Sequence, residues 1–184
     1  MSPFAGNSLL AQNGAFEPQR KSNFALIIPD TGGDLLVLSV KNVRPPGIGV
    51  TNPAIKAFNT PVKYAGAMES AENMAISFYD YLDTDVLDRL AAWFRQVYNP
   101  ATGAIGRARD YKRRGSLMLL PPGMDPAAAP GIVDSGAYRN RVWVCRGLFI
   151  KKLTPDEFDH ESDAPAMINV ELSCDICYPK ILDV

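Results

Sequence analysis

The sequence has no long apolar stretch. No run approaches the roughly 18 to 20 consecutive apolar residues that a membrane-spanning helix needs. The first 16 residues hold Leu9 and Leu10 as their only large aliphatic pair, and no basic region precedes it, so they lack the pattern of a secretory signal. We therefore predict a soluble protein that is assembled inside the cell and has no membrane binding of its own.

The sequence also lacks an excess of positive charge. Nineteen Lys and Arg residues stand against 20 Asp and Glu residues, which gives a formal net charge of -1 and no long-range attraction for nucleic acid. One local basic cluster is present, made of Arg107, Arg109, Lys112, Arg113 and Arg114. We interpret it as a solvated loop or a surface for a protein partner.

Cysteine and histidine are scarce. The three cysteines are an odd number, which argues against a self-contained disulfide framework, and His160 is the sole histidine. Cys174 and Cys177 form a CxxC, but Pro179 follows where a redox motif would open a helix. With Cys145 and His160 they match the ligand count of a zinc site, yet a spacing of three in a strand points side chains to opposite faces. The alternatives are a disulfide between neighbouring subunits through Cys145, Cys174 and Cys177, or free thiols; we predict no metal and no cofactor.

Catalytic motifs are missing as well. Gly47 and Gly49 are followed by Asn52 and by Pro53, without the helix that a dinucleotide-binding turn requires. The acidic stretch 156–163 reads as a solvated loop, and neither Ser116 nor Ser173 lies in a nucleophile elbow. The sequence therefore does not predict an enzyme.

Short alternating apolar segments dominate what is present. A chain of 184 residues fits one domain, and turn residues at 30–33 separate two apolar runs as in a β-hairpin. In the last predicted strand Ile168, Val170, Leu172 and Cys174 share one face, and Asn169, Glu171 and Ser173 share the other. The predicted strands are 24–28, 35–40, 62–65, 74–81, 115–120, 141–153 and 166–176.

One segment, about 84–98, has helical periodicity. Its apolar residues are Val86, Leu87, Leu90, Trp93, Phe94, Val97 and Tyr98. Asp83 or Thr84 can cap its start, and Asn99 and Pro100 end it. Strands, one helix and further strands predict a mainly β fold, a barrel or sandwich of two packed antiparallel sheets with one flanking amphipathic helix.

Three segments fall outside that core. Residues 1–22 read as an N-terminal arm, and residues 179–184 form a C-terminal tail. Residues 44–61 contain four prolines and two glycines, which argue against a sheet ladder, together with the apolar residues Ile48, Val50, Ile55 and Phe58. We predict a long extended arm that makes apolar contacts. Residues 121–136, rich in Pro, Ala and Gly, look like a loop insertion in the core domain 23–178.

The order and spacing of these elements resemble the tail tube proteins of contractile-tailed bacteriophages, which share the Hcp-like tube fold. The resemblance covers about residues 20–178. It is carried by the segments 23–28, 35–43, 62–66, 74–81 running into the helix with Trp93, 113–117, 143–147, 152–153, the acidic loop with Phe158 and Asp159, and 168–175.

The resemblance implies a structural virion protein. Six-fold rings would stack into a hollow tube inside a contractile sheath and conduct the genome into the host. The implied partners are further copies of the chain, the sheath protein, the tape measure protein, DNA passing through the lumen, and the baseplate and tail terminator proteins. The implied location is the phage tail, assembled in the host cytoplasm.

The resemblance also suggests where such contacts lie. Ile48, Val50, Ile55 and Phe58 would join stacked rings, Asn169, Glu171 and Ser173 would line the lumen, and Arg107, Arg109, Arg113 and Arg114, with Arg139 and Arg141, would face the sheath. The alternatives are a secretion-system tube or a tube-initiating baseplate subunit. A monomeric ligand-binding β-barrel, or a small hydrolase using the acidic loop, is the alternative from another class.

Overall fold

The computed structural model describes residues 22–29, 40–57, 60–69, 73–81, 85–121, 123–130, 142–157 and 164–182. Several predicted features lie outside these ranges. They are the N-terminal arm up to residue 21, the turn 30–33, most of the strand 35–40, Phe58, the capping residues Asp83 and Thr84, Arg139, Arg141, residues 131–136 of the insertion, and the acidic loop from 158 to 163 with His160.

Eleven strands and two α-helices make up the described part of the chain. In chain order they are β1 (Phe24–Ile27), β2 (Val40–Val43), β3 (Ala54–Ala57), β4 (Thr60–Lys63), β5 (Met74–Tyr79), α1 (Val86–Val97), β6 (Tyr98–Asn99), β7 (Ala104–Ile105), α2 (Ala108–Tyr111), β8 (Arg113–Leu119), β9 (Val142–Pro155), β10 (Met167–Ser173) and β11 (Ile176–Pro179). Two short 3-10 turns, Pro126–Ala128 and Lys180–Leu182, complete the set.

Seven strands form one antiparallel sheet in the order β1-β8-β9-β10-β5-β2, with β11 also paired to β9. The terminal strands β1 and β2 flank an apolar groove of about 730 Å³, lined by Phe24, Val40, Leu119 and Trp143 among others, so the strands that the structure describes do not close into a barrel. The prediction of a mainly β fold with a flanking helix is confirmed. The two predicted sheets, however, are two halves of one sheet, because both contain β9.

Strand β9 is long enough to serve both halves of the sheet. Its first part, up to Leu148, pairs with β8 and β11, and its part from Phe149 onward pairs with β10. Near this junction Gly147 lies opposite a register shift in the pairing with β8, and its φ of 70° is a left-handed conformation that glycine adopts without steric cost. The strand therefore bends at Gly147. Strands β11 and β10 pair with successive parts of β9, one before the bend and one after it.

Burial follows the alternation of the strands. In β10, Ile168, Val170 and Leu172 are buried, whereas Asn169 is exposed and Glu171 and Ser173 are half-buried, as the sequence predicts. The inner side chains join α1 in a main core that includes Leu26, Phe78, Leu148 and Ile150. A second, smaller core contains Ala25, Ile27, Met118, Leu120, Ala129 and Val142, so the predicted insertion packs against the sheet through Ala129.

Helix α1 covers the main core with one face. Val86, Leu90 and Trp93 are buried, and the indole Nε1 of Trp93 donates a hydrogen bond of 2.8 Å to the carbonyl oxygen of Tyr111. The N-cap is Asp85, one residue later than predicted, and its side chain makes no capping hydrogen bond.

The helix also ends earlier than predicted. Val97 is its last residue, because Tyr98 and Asn99 turn into β6 and pair with Ile105 and Ala104. Tyr98 is exposed and so does not belong to the apolar face of the helix.

Sequence patterns miss three smaller features. The predicted basic loop contains α2, and β8 begins at Arg113, before the predicted strand start at Gly115. The predicted strand 166–176 is interrupted, because Cys174 and Asp175 separate β10 from β11. In the described ranges no helix is both long enough and apolar enough to cross a membrane.

Candidate assembly surfaces

The described residues of the segment 44–69, called the arm below, form a two-stranded ribbon. Strands β3 and β4 pair with Ile55 opposite Val62 and Lys56 opposite Pro61. Below this hairpin the two sides stay joined by backbone hydrogen bonds from Gly66 to Thr51, from Thr51 to Ala67 and from Glu69 to Gly49, at 2.7 to 2.9 Å. The prediction that residues 44–61 form no ladder is therefore wrong: Pro61 fits because a two-stranded sheet has an open edge on each side.

The arm is exposed to solvent on both faces. Every residue from 50 to 56 and from 60 to 69 is exposed. At the base, the amide of Arg44 donates to the carbonyl oxygen of Ala75 on β5 at 3.3 Å, and Pro46 is buried. An isolated two-stranded hairpin is only marginally stable in water. A partner that covers the ribbon would stabilise it.

Exposed apolar side chains concentrate on this ribbon. Ile55 is 60% exposed, and its cross-strand partner Val62 is 39% exposed. Val50 and Met68 pair across the ribbon through a single β-bridge. The structure thus brings Val50 and Ile55 onto one element with Ile48 near its base, and it adds Val62, Tyr64 and Met68, which sequence reasoning missed. Their signal was the spacing of Val62 and Tyr64 on one face of a strand.

The predicted lumen residues lie on the outer face of β10, in a hydrogen-bonded polar surface. The hydroxyl of Ser77 donates to Asn169 Oδ1 at 2.7 Å, and Asn73 Nδ2 donates to Glu171 Oε1 at 2.7 Å. Lys151 Nζ donates to the same Glu171 oxygen at 3.0 Å, and this hydrogen bond lowers the pKa of Glu171. The face therefore carries acidic and basic groups together, since Lys152 is the register partner of Glu171.

The predicted basic residues differ in exposure and in their partners. Arg107 and Arg109 lie at the start of α2 and are exposed, and Arg109 pairs with Asp110 at 3.4 Å. Arg114 is exposed at the start of β8. Arg113 is half-buried: its guanidinium lies 5.0 Å from the ring centre of Trp93, and Nη2 donates to Gln96 Oε1 at 3.1 Å. Arg113 therefore makes its contacts within the chain. The exposed residues Arg107, Arg109 and Arg114 are better placed to contact a partner.

The three cysteines come together in the main core. Cys145 and Cys177 are register partners on β9 and β11, with their sulfur atoms 2.7 Å apart. Cys174 joins them because the chain bends at Cys174 and Asp175, so the prediction that Cys174 and Cys177 point to opposite faces is wrong. All three are at most 4% exposed. An intersubunit disulfide stays a prediction, and this burial stands against it.

Hydrogen bonding and burial set the protonation of these thiols. The hydrogen bonds with Cys174 and with Cys177, followed by burial, raise the pKa of Cys145. A hydrogen bond from Cys145 lowers the pKa of Cys177, but its contact with Cys174 and burial outweigh this and raise that pKa to about 12.

Cys174 is subject to opposing influences. The neighbouring thiols lower the pKa of Cys174. Its sulfur, however, lies 3.0 Å from the carbonyl oxygen of Ile176 and 3.5 Å from that of Arg146, contacts that a thiol makes as donor and that would repel a thiolate. We therefore assign three neutral thiols.

Comparison with known proteins gives matches by structure alone. No family model matches the sequence, and no curated protein matches it. A chain of the PVC sheath-tube complex, from an extracellular contractile injection system in its extended state, superposes with a TM-score of 0.61 at 14% identity, covering 97% of each chain. A chain of the anti-feeding prophage tube terminating cap gives 0.64 at 13% identity, covering 88% of this chain and 90% of that one.

A third match comes from a different kind of particle. A chain from the tail of an empty gene transfer agent particle, with C6 symmetry, gives a TM-score of 0.51 at 10% identity, covering 88% of this chain and 98% of that one. At such low identities the likeness establishes the fold. The shared sheet and near-complete coverage agree with the resemblance found in the sequence: this chain has the tail tube fold.

Proposed function

We propose that this protein is the structural subunit of a tail tube, in which six-fold rings stack into a hollow cylinder inside a contractile sheath and conduct a phage genome into the host. The observation that carries the proposal is the arm, an exposed apolar ribbon on a tail tube fold. A monomeric protein gains nothing from such a ribbon, because exposed apolar clusters favour association.

The arm is the proposed contact between stacked rings. Fully burying a Val, Ile or Met side chain stabilises an interface by about 1.5 to 3 kcal/mol. Ile55, Val62 and Met68 are each more than a third exposed in the subunit, so burying them in an interface would still provide much of this stabilisation. In a closed ring each contact is repeated six times, and linked contacts multiply into high avidity. A modest contact per subunit is then sufficient to hold a ring on its neighbour.

The remaining surfaces receive proposed roles from their chemistry. Asn169, Glu171 and Ser173 offer a polar face for the lumen, where Lys151 and Glu171 offset each other's charge. Such pairing suits a conduit, because every unpaired basic group would add a phosphate contact and slow DNA. Arg107, Arg109 and Arg114 are proposed to meet the sheath. The tape measure, terminator and baseplate proteins are the proposed partners along the lumen and at the tube ends.

A second candidate is a tube-initiating subunit of a baseplate. A chain of the anti-feeding prophage baseplate superposes with a TM-score of 0.55 at 7% identity, over 88% of this chain. Such a subunit would form one ring that serves as a platform and would not polymerise by itself. A secretion-system tube is a further variant of the first proposal, with a protein cargo in place of DNA.

Negative-stain microscopy of the purified full chain at high concentration tests these proposals. We expect rings of uniform diameter with six-fold averages and, as concentration rises, tubes built from stacked rings. Rings that never stack would favour the tube-initiating role. A monodisperse 20.1 kDa monomer at every concentration would refute both.

A further inference from the structure

The buried thiol cluster lies where the last strand returns to β9. Cys145 and Cys177 face each other directly across the antiparallel pair, each 1% exposed, with 2.7 Å between their sulfur atoms. The two residues are 32 positions apart in sequence. No part of the tube proposal uses these groups.

We propose that Cys145 and Cys177 are an oxidation site, at which hydrogen peroxide converts the two thiols into a disulfide within one subunit and fixes β11 to β9. Each thiol loses its proton and one electron to form the S–S bond. The two electrons cleave the O–O bond of the peroxide, and the two protons complete two water molecules. A thiol such as dithiothreitol reverses the step by exchange.

The distance between the sulfur atoms of Cys145 and Cys177 favours a disulfide over a shared metal ion. Two thiolates on a tetrahedral zinc ion lie roughly 3.7 Å apart, given Zn–S distances of about 2.3 Å. The sulfur atoms of Cys145 and Cys177 are about 1 Å closer than that, nearer to the S–S bond of about 2.05 Å. No group of three ligating side chains able to hold a metal ion exists among the residues described.

The third thiol, Cys174, also contacts the backbone. Cys174 Sγ contacts the carbonyl oxygens of Ile176 and Arg146, which hold it to the backbone of the bend. Its neighbour Asp175 is fixed in turn, because Lys112 Nζ donates to both carboxylate oxygens at 2.8 and 2.7 Å. Cys174 therefore stays in the bend, and the cross-strand pair is the one aligned for a bond.

The position of β11 gives the reagent a route to buried sulfur. The strand has four residues, pairs with β9 alone among the described strands, and leads into the exposed residues Ile181 and Leu182. Short peripheral strands open at low free energy in native proteins, since few contacts hold them. Brief opening of β11 would expose Cys177 and then Cys145 to a small oxidant.

Thiol counting with peptide mapping tests the site. The native full-length protein is treated with hydrogen peroxide, denatured, alkylated with N-ethylmaleimide and weighed intact. We expect the number of alkylated thiols to fall from three to one, with full recovery after dithiothreitol. Trypsin combined with cleavage before Asp175 separates all three cysteines, and we expect Cys145 linked to Cys177.

Matched variants keep the result interpretable. Cys174→Ser should form the same bridge, so that both of its thiols are lost, and Cys177→Ser should keep both. The bridge joins residues 32 positions apart, so oxidation should also raise the Tm of the wild type by roughly 5 to 10 °C. Oxidation should not raise the Tm of Cys177→Ser. A wild-type bridge that includes Cys174, a covalent dimer on a non-reducing gel, or three thiols that stay alkylatable would each overturn the proposal. None of these outcomes depends on tube formation.

Discussion

At the scale of single residues, Gly147 lies near the point where β9 passes from its partner β11 to its partner β10. A side chain there would meet two obstacles. Its φ of 70° is costly for any residue with a Cβ, and a Cβ would overlap the carboxylate of Asp175. That carboxylate is the partner of Lys112, so the overlap would also disturb the ion pair at the bend before β11.

Gly147→Ala is therefore expected to destabilise the subunit by more than backbone strain alone. The left-handed conformation costs a non-glycine residue about 1 to 2 kcal/mol, and displacing Asp175 adds to this. Urea unfolding followed by tryptophan fluorescence measures the loss.

Gly103→Ala is the matched control for this prediction. Gly103 has a φ of 69°, but a Cβ at this position would have no neighbour within 4 Å, so the variant isolates the cost of the conformation. Equal losses for the two variants would show that the contact with Asp175 does not matter.

At the scale of elements, α1 is the helix that closes the main core. Leu90 is 2% exposed on its inner face, and Leu87, one turn earlier in sequence, is 40% exposed. The same substitution at the two positions therefore separates packing from helix propensity, since both change leucine to alanine within one helix.

Leu90→Ala is expected to lower the free energy of unfolding by about 2 to 5 kcal/mol, because it leaves a cavity between α1 and the sheet. Leu87→Ala should stay within about 0.5 kcal/mol of the wild type. Thermal or urea unfolding by circular dichroism gives both values. A similar loss at both positions would mean that Leu87 is covered, for example by another subunit.

The elements with a repeating pattern are those that the sequence predicts. The alternation from Ile168 to Leu172 predicts which residues of β10 are buried. The spacing of Val86, Leu90 and Trp93 predicts the buried face of α1. Helix α2 has four residues, too few for a period to emerge. The bend at Cys174 carries no glycine or proline, and it depends on Gly147 of another strand, which no local pattern reveals.

At the scale of the whole molecule, the sequence predicted one part of the candidate assembly surface and missed another. The apolar content of 44–61 pointed to a contact surface, and the structure leaves Ile48, Val50 and Ile55 exposed. The hairpin itself was missed, because its register pairs Lys56 with Pro61, and proline normally argues against a strand. Contacts between subunits depend on partners that one chain does not contain.

Ile55→Asp is expected to abolish or strongly reduce tube formation while the subunit stays folded. The residue is 60% exposed, so a charge there costs the monomer little, whereas burying that charge between stacked rings costs several kcal/mol per subunit. The fraction of protein that pellets as tubes, checked by microscopy, is the measurement.

Ile105→Asp serves as the comparison, because Ile105 is 79% exposed but belongs to the separate β6–β7 hairpin. We expect it to form tubes as the wild type does. Normal tubes from Ile55→Asp, or loss of tubes only in Ile105→Asp, would remove the arm from the stacking interface.

The strand order has a consequence for when the subunit becomes competent to assemble. Strand β10, near the end of the sequence, lies between β9 and β5 in the sheet, so it connects the half that carries the arm to the half that contains β8. On the opposite side, Asn23 bonds Pro121 from 98 positions away. Such distant pairings fold slowly and late. During synthesis, β5 therefore lacks its partner β10 until residue 173 has left the ribosome, and the half of the sheet that carries the arm joins the rest of the sheet only then.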